Sequence, residues 1–209
     1  LTRAELEEIA NIVRQYPNMY IMSDEIYKDI LYTDSHNSIV AFPGMSEKTI
    51  ILDGFSKSYA MTGWRLGYGI MPTDLVPHIS RLAVNSVSCA ASFSQIAAIA
   101  ALEGSQDDVE TMVTEFAIRR TLISEGLRSI PNINCPEPEG AFYAFPSIKN
   151  LGLTSSEFED RSLREAGVAL IAGNAFGEFG EGYVRLSYAN SQENIQRAIE
   201  RLDKFVRGL

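Results

Sequence analysis

Residues 52–68 read LDGFSKSYAMTGWRLGY, and the other segments of the chain are best understood in relation to them. The apolar residues 49–52 predict a buried strand, and Asp53 with the glycine after it ends the apolar run. Lys57 therefore lies just past the end of a strand, among small and hydroxyl residues. Arg65 follows on the same stretch and opens the next predicted strand, residues 65–71. Most lysines are solvated surface charges, so Lys57 alone does not indicate a function.

The composition is that of a globular protein. The chain has 209 residues, of which 45% are hydrophobic and 22% are charged, and this suits one or two domains with a sizeable core. The net charge of -9 comes without a basic run, which argues against nucleic acid as a partner. No apolar stretch is suited to span a membrane. Cys89 and Cys135 show no metal-ligand spacing, so neither a metal site nor a disulfide framework is expected.

Helix-start and helix-stop signals occur near both ends of the chain. Thr2 and Glu5 form a capping-box pattern at the start of a helix. Ser191 opens the last helix, whose apolar residues recur along one face, and Gly167 stands where glycine is favoured after a helix end. Because a helix begins almost at the first residue, we expect the chain to have been cut from a longer protein.

A carboxylate is predicted at the end of a neighbouring strand. Residues 19–22 form a short apolar run, and Asp24 follows it, with Tyr27 three positions further on. In open α/β sheets, ligands collect at the carboxyl ends of parallel strands. The alternative is that Asp24 caps the next turn, which is common for an aspartate after a strand.

The alternation of strands and helices predicts an α/β fold and a division into two domains. Strand and helix patterns alternate in the first half of the chain, and a long helix is expected over about residues 106–130. A helix of that length often links two domains, and the alternation fades beyond it. We therefore divide the chain into residues 1–110 and residues 111–209.

Arg185 lies within a predicted strand over residues 183–188. One interpretation is a charge on an edge strand, which keeps the sheet soluble. The other is that its apolar and aromatic neighbours cover the strand, and a covered arginine needs an anion.

Taken together, these residues match one chemistry. A lysine amine can form a Schiff base with a carbonyl compound, and pyridoxal phosphate enzymes need such a lysine and an acidic partner for the pyridine nitrogen. The chain resembles the later part of a fold type I, pyridoxal-phosphate-dependent class I/II aminotransferase of the aspartate aminotransferase family. The motifs that carry the resemblance occur in the family's order: SDEIY at residues 23–27, GFSKSYAMTGWRLG at 54–67, GAFYAF at 140–145 and YVRLSYA at 183–189.

The resemblance implies a role for each matching cofactor-site residue. Lys57 would bind the cofactor aldehyde covalently and move a proton between the substrate α-carbon and the cofactor C4′. Asp24 would pair with the pyridine nitrogen, and Tyr27 would donate a hydrogen bond to the phenolic oxygen of the ring. Ser56 and Arg65 would bind the phosphate, because the arginine fork matches phosphate oxygens.

The resemblance also implies a substrate class and an assembly. Arg185 would hold the α-carboxylate of an amino acid or 2-oxo acid by paired, charge-assisted hydrogen bonds. Aspartate with 2-oxoglutarate is the best guess for the substrates, and aromatic or alanine-type substrates stay open. The family implies a homodimer in the cytoplasm. Residues 1–110 would be the remainder of the large cofactor-binding domain with its mostly parallel sheet, and residues 111–209 the linking helix and a smaller α+β domain.

Two alternatives are left open. The same scaffold carries other pyridoxal phosphate reactions, such as a carbon–sulfur lyase or a synthase. The fold also serves as a non-catalytic regulatory domain fused to a DNA-binding module. In either reading the family's amino-terminal portion, which supplies part of the pocket and of the dimer contact, is expected ahead of Leu1, and the 209 residues alone are expected to be inactive.

Overall fold

The computed structural model describes residues 1–33 and 35–209, which separate into two compact units, Leu1–Glu110 and Thr111–Leu209. The helices are α1 (Arg3–Arg14), α2 (Val76–Ser86), α3 (Ser92–Glu103), α4 (Asp107–Ser129), α5 (Ser155–Arg161) and α6 (Gln192–Val206). The strands are β1 (Ile21–Asp24), β2 (Thr49–Gly54), β3 (Gly67–Ile70), β4 (Tyr143–Ala144), β5 (Ile171–Ala172) and β6 (Val184–Ser187). Within the described residues, no helix has both the length and the apolar character needed to cross a membrane.

The first unit is built around a three-stranded sheet in the order β1-β2-β3. β1 runs parallel to β2, with Asp24 opposite Leu52, and β3 runs antiparallel to β2, with Tyr68 opposite Asp53. The connection from β1 to β2 contains 3₁₀ turns that pack on α1 and close a small apolar core. The buried members of that core are Leu6, Ala10, Val13, Ile39, Phe42 and Met45.

The predicted start of α1 is confirmed. The Thr2 hydroxyl accepts a hydrogen bond from the Glu5 amide, and the Glu5 carboxylate accepts one from the Thr2 amide at 2.7 Å. These reciprocal bonds satisfy backbone donors that have no partner within the helix. The buried face of α1 consists of Leu6, Ala10 and Val13.

The second unit contains a small sheet in the order β4-β6-β5, in which both pairings are antiparallel. Because β6 lies between the other two strands, Arg185 is on a central strand, and the edge-strand interpretation of this residue is wrong. The helices α4 and α6 cover apolar residues of this unit. Buried residues on or next to α4, β6 and α6 include Phe116, Ile123, Leu127, Val184, Leu186, Tyr188, Ile195 and Leu202.

Helix signals in the second unit are also confirmed, with one local difference. Ser191 caps α6 by accepting a hydrogen bond from the Asn194 amide at 3.2 Å. After α5 the chain widens into a π-helical turn, Ser162–Ala166, and Gly167 ends it at φ 65°. A left-handed residue after a helix end is what glycine supplies at little cost.

The strand boundaries differ from the sequence expectation around Lys57. β2 continues through Asp53 to Gly54, so this pair does not end the strand. Arg65 was expected to open the next strand, but it has left-handed backbone angles at φ 53° and ψ 48°, and β3 begins at Gly67. The change in direction at Arg65 allows β3 to return antiparallel to β2.

At Gly54, just before the turn that carries Lys57, the structure leaves no space for a side chain. A Cβ there would lie 2.8 Å from the Gly67 Cα and 3.0 Å from the Leu66 carbonyl oxygen. Both contacts are with backbone, which cannot rotate away, so the two strands approach closely only because residue 54 is glycine.

We expect Gly54→Ala to lower the free energy of unfolding by about 1–3 kcal/mol, because the added methyl group forces β2 and β3 apart. Gly63→Ala is the matched control, since nothing lies within 4 Å of a Cβ at that position, and its effect should stay within about 0.5 kcal/mol. Urea unfolding of the intact protein measures both. Equal midpoints for the two variants would contradict the close approach.

Candidate active site

Lys57 lies in a turn that directly follows β2, as predicted. It lines a cleft of about 340 Å³ together with Ser56, Arg65 and residues at the ends of β2 and β3. Lys57 is half-buried, and its Nζ lies 5.6 Å from the centre of the Tyr27 ring. The structure therefore brings together Lys57, Ser56, Arg65 and Tyr27 in the first unit.

Asp24 is the last residue of β1, at the carboxyl end of a strand that is parallel to β2. Its Oδ1 accepts a hydrogen bond from the Ile26 amide at 3.3 Å, so it also caps the following turn. The two interpretations of Asp24 are thus compatible. The side chain is exposed, and no cation among the described residues pairs with it.

Arg65 borders two openings of the first unit. Its Nη1 donates a hydrogen bond to the Thr62 carbonyl at 2.9 Å, which fixes one edge of the guanidinium. Beyond the cleft with Lys57, Arg65 also lines a larger opening of about 950 Å³ that contains Trp64 and Phe93. Because that opening has no lysine or carboxylate in its lining, the cleft with Lys57 is the better candidate for chemistry.

Asp53 lines this cleft and connects the strand ends, a role that the sequence did not reveal. Its carboxylate accepts hydrogen bonds from Lys28, from the Tyr68 hydroxyl at 2.7 Å and from the Gly54 amide at 2.7 Å. Burial raises the pKa of Asp53, but these hydrogen bonds outweigh burial, so its pKa lies below the usual value. Burial lowers the pKa of Lys28, but the hydrogen bond to Asp53 and the nearby negative charges together outweigh burial and raise it, so Asp53 and Lys28 form an ion pair.

A second carboxylate, Glu25, anchors the segment after β1. It is buried, and it accepts hydrogen bonds from Ser23 at 3.1 Å and Ser38 at 2.7 Å. His36 Nε2 lies 3.0 Å from the other carboxylate oxygen. The Glu25 amide donates to the Leu52 carbonyl at 2.9 Å, which extends the pairing of β1 with β2 past Asp24.

Arg185 belongs to the second unit, where aromatic rings surround its charge. The guanidinium carbon lies 4.5 Å from the centre of the Tyr143 ring and 4.5 Å from the centre of the Phe176 ring. Such contacts stabilise a cation without neutralising it. Among the described residues no carboxylate pairs with Arg185, so the side chain can still accept an anion.

The side chains of the first unit fit pyridoxal phosphate. An amine, a hydroxyl and a guanidinium at one cleft provide a group that can bind an aldehyde and two that can bind a phosphate. The exposed Asp24 carboxylate suits a protonated ring nitrogen. Within residues 1–33 and 35–209, no cluster of histidine, cysteine or acidic residues is arranged to hold a metal ion.

Comparison with known proteins shows the family to which the chain belongs. The profile of the family "Aminotransferase class I and II" matches residues 1–202, and the chain belongs to this family. Structures of its relatives identify the fold as that of the fold type I aminotransferases. Members of the family generally depend on pyridoxal phosphate and are typically dimeric.

Individual relatives are identical to the chain at about two fifths of the aligned positions. It is 42% identical over 210 residues to an aspartate aminotransferase of Pyrococcus abyssi, covering 99% of this chain and 54% of that protein. It is 41% identical over 210 residues to aromatic-amino-acid aminotransferase 2 of Thermococcus litoralis, with the same coverage of 99% and 54%. The crystal structure of an aromatic aminotransferase from Pyrococcus horikoshii superposes with a TM-score of 0.95 at 40% identity, covering 100% of this chain and 56% of that one. The chain spans about half the length of the curated relatives it matches.

Proposed function

We propose that the chain is the carboxy-terminal portion of a pyridoxal-phosphate-dependent aminotransferase, which moves an amino group between an amino acid and a 2-oxo acid. One observation carries the proposal: Lys57 follows β2 and shares a cleft with Ser56 and Arg65, while Asp24 ends the strand parallel to β2. In this proposal the first unit is the remainder of the large cofactor-binding domain. The second unit is the linking helix with the small domain.

Five residues would hold the cofactor. The Lys57 amine would bind the aldehyde, Ser56 and Arg65 would bind the phosphate, and Asp24 would keep the ring nitrogen protonated by accepting its hydrogen bond. Tyr27, beside Lys57, would donate a hydrogen bond to the phenolic oxygen. When bound, pyridoxal phosphate supplies the electron sink that stabilises a carbanion at the substrate α-carbon.

The proton chemistry falls to Lys57. The Lys57 amine would act as the base that moves a proton between the substrate α-carbon and the cofactor C4′. The half-buried position of Lys57 beside Tyr27 limits the volume in which the amine can move. A base held near the proton that it abstracts gains from proximity.

Arg185 would bind the α-carboxylate that amino acid and 2-oxo acid substrates share. The rings of Tyr143 and Phe176 lie close to the guanidinium and restrict its motion, and an arginine held in this way loses little entropy when it pairs with a carboxylate. Aspartate with 2-oxoglutarate is the proposed substrate pair, supported by the name of the Pyrococcus abyssi relative. The Thermococcus litoralis relative is named for aromatic amino acids. An aromatic amino acid is therefore the alternative substrate to measure beside aspartate.

We also propose that the intact enzyme is a homodimer. Helices α2 and α3 expose large apolar side chains, including Leu82 at 66%, Val84 at 64% and Phe93 at 71% exposure. Exposed apolar surface of this extent usually marks an interface, and this supports an assembly in which these helices are covered.

The test of the proposed cofactor site is to identify the lysine that binds the aldehyde. In the intact protein loaded with pyridoxal phosphate, borohydride reduction should fix the cofactor on Lys57, and Lys57→Ala should abolish both the label and the visible absorption. Lys48→Ala is the control, because Lys48 donates to the Tyr16 carbonyl at 2.7 Å, and it should keep both. A label found on another lysine by peptide mass spectrometry would overturn the assignment.

Arg185 gives a separate prediction for substrate binding. Lysine cannot reproduce two parallel charge-assisted hydrogen bonds, and each is worth about 1.5–3 kcal/mol. Arg185→Lys should therefore raise KM for both the amino acid and the 2-oxo acid by about ten- to a hundredfold, with unchanged affinity for the cofactor.

Steady-state kinetics beside a cofactor titration measures these effects. Arg164→Lys is the control, since Arg164 is an exposed residue paired with Asp160 at 2.6 Å, and its constants should stay at the wild-type level. Unaltered KM values in Arg185→Lys would show that this arginine does not bind substrate. Formation of a lyase product in place of amino group transfer by the wild type would instead favour the other reaction on this scaffold.

A further inference from the structure

The Asp53 carboxylate joins the segments that carry the proposed cofactor-binding residues. Its side chain is 5% exposed, and its three donors come from separate parts of the first unit. Lys28 directly follows Tyr27 on the segment after β1. Gly54 precedes the turn with Ser56 and Lys57. Tyr68 lies on β3, shortly after Arg65.

The bonds to Asp53 reinforce backbone pairing at the same level of the sheet. Tyr68 is the β3 residue opposite Asp53, and the Phe55 amide donates to the Leu66 carbonyl at 3.3 Å. The Phe55 ring is buried and lies 5.8 Å from the Tyr68 ring and 5.5 Å from the Tyr59 ring. The turn with Lys57 is therefore held from its β3 side by packing and from its β1 side by the bond from Lys28 to Asp53.

Asp53 is poorly suited to act as a general base, although it lines the cleft. Its Oδ2 accepts from Lys28 and Tyr68, and its Oδ1 accepts from the Gly54 amide. A general base needs a free lone pair that can reach the substrate. A buried carboxylate whose oxygens already have donors instead fixes the distance between those donors.

We propose that Asp53 is a positioning residue of the cofactor site, which holds the segments of Tyr27, Lys57 and Arg65 in register through Lys28, the Gly54 amide and Tyr68. This inference rests on the proposed function for the identity of the ligand. Each of these hydrogen bonds supports residues at a different part of that ligand. The bond from Lys28 supports the residues at the ring, and the bond from Tyr68 supports Arg65 at the phosphate.

The test measures the dissociation constants of two ligands, pyridoxal 5′-phosphate and pyridoxal, which lacks the phosphate. Both are titrated into the intact protein prepared without cofactor. Tyr68→Phe removes one hydroxyl and should weaken binding of pyridoxal phosphate about five- to tenfold while leaving binding of pyridoxal unchanged. Lys28→Met should weaken binding of both ligands by the same factor, about tenfold. Asp53→Asn should combine the two effects.

Asp29→Asn is the matched control, because the Asp29 carboxylate lies 3.9 Å from the same Lys28 amine but takes no part in the hydrogen bonds to Asp53. It should leave both dissociation constants unchanged. If Tyr68→Phe weakens both ligands equally, or if Asp53→Asn lowers only the melting temperature and neither affinity, Asp53 is a structural residue and the proposal is overturned.

A second measurement does not depend on the cofactor. Amide hydrogen exchange of the cofactor-free protein should be at least tenfold faster in Asp53→Asn at residues 25–28, 54–58 and 66–68 together, and unchanged in Asp29→Asn. Faster exchange at one of these segments alone, or an equal increase across the whole first unit, would overturn the proposal. Failure of the wild type to bind pyridoxal phosphate would contradict the proposed function instead, and the exchange result would still decide the role of Asp53.

Discussion

Hydrogen bonding of β2 on both of its sides is the constraint on which the candidate site depends. A parallel neighbour brings the carboxyl end of β1, with Asp24, beside the carboxyl end of β2. The antiparallel neighbour β3 begins with Gly67 opposite Gly54, so Arg65, just before β3, also lies at the carboxyl end of β2. Residues that are distant along the sequence therefore lie around a single turn, and Lys57 is at its centre.

Close packing and charge both act at this point of the sheet. Gly54 and Gly67 let the backbones of β2 and β3 approach, since a side chain at residue 54 would contact backbone at 2.8 Å. The buried carboxylate of the preceding residue, Asp53, needs donors, because a buried charge without partners is costly. The ion pair with Lys28 and the bond from Tyr68 meet this need, and the same bonds fix the spacing of the strands.

Much of this arrangement could be predicted from local sequence signals. The strand before Lys57, the capping box of Thr2 and Glu5, the cap at Ser191 and the glycine at Gly167 each depend on neighbouring residues only. Family motifs added the expectation that Asp24 and Lys57 act together, and the geometry of the first unit is compatible with it.

Other features could not be predicted, because they depend on contacts between distant residues. The donors of Asp53 include Lys28 and Tyr68, which are 25 and 15 positions away, so no spacing rule reveals them. The left-handed backbone of Arg65 follows from the return of β3, whereas an apolar pattern suggested a strand there. The central position of Arg185 required the order of three short strands, β4-β6-β5, whose lengths give a weak sequence signal.

The central claim is that the turn after β2 binds pyridoxal phosphate through Lys57. A crystal structure of the intact protein grown with the cofactor tests it most directly. We expect continuous density from Lys57 Nζ to the aldehyde carbon, the Asp24 carboxylate within about 3 Å of the ring nitrogen, and the phosphate in contact with Ser56 and Arg65. A cofactor bound elsewhere, or density on a different lysine, would contradict the account.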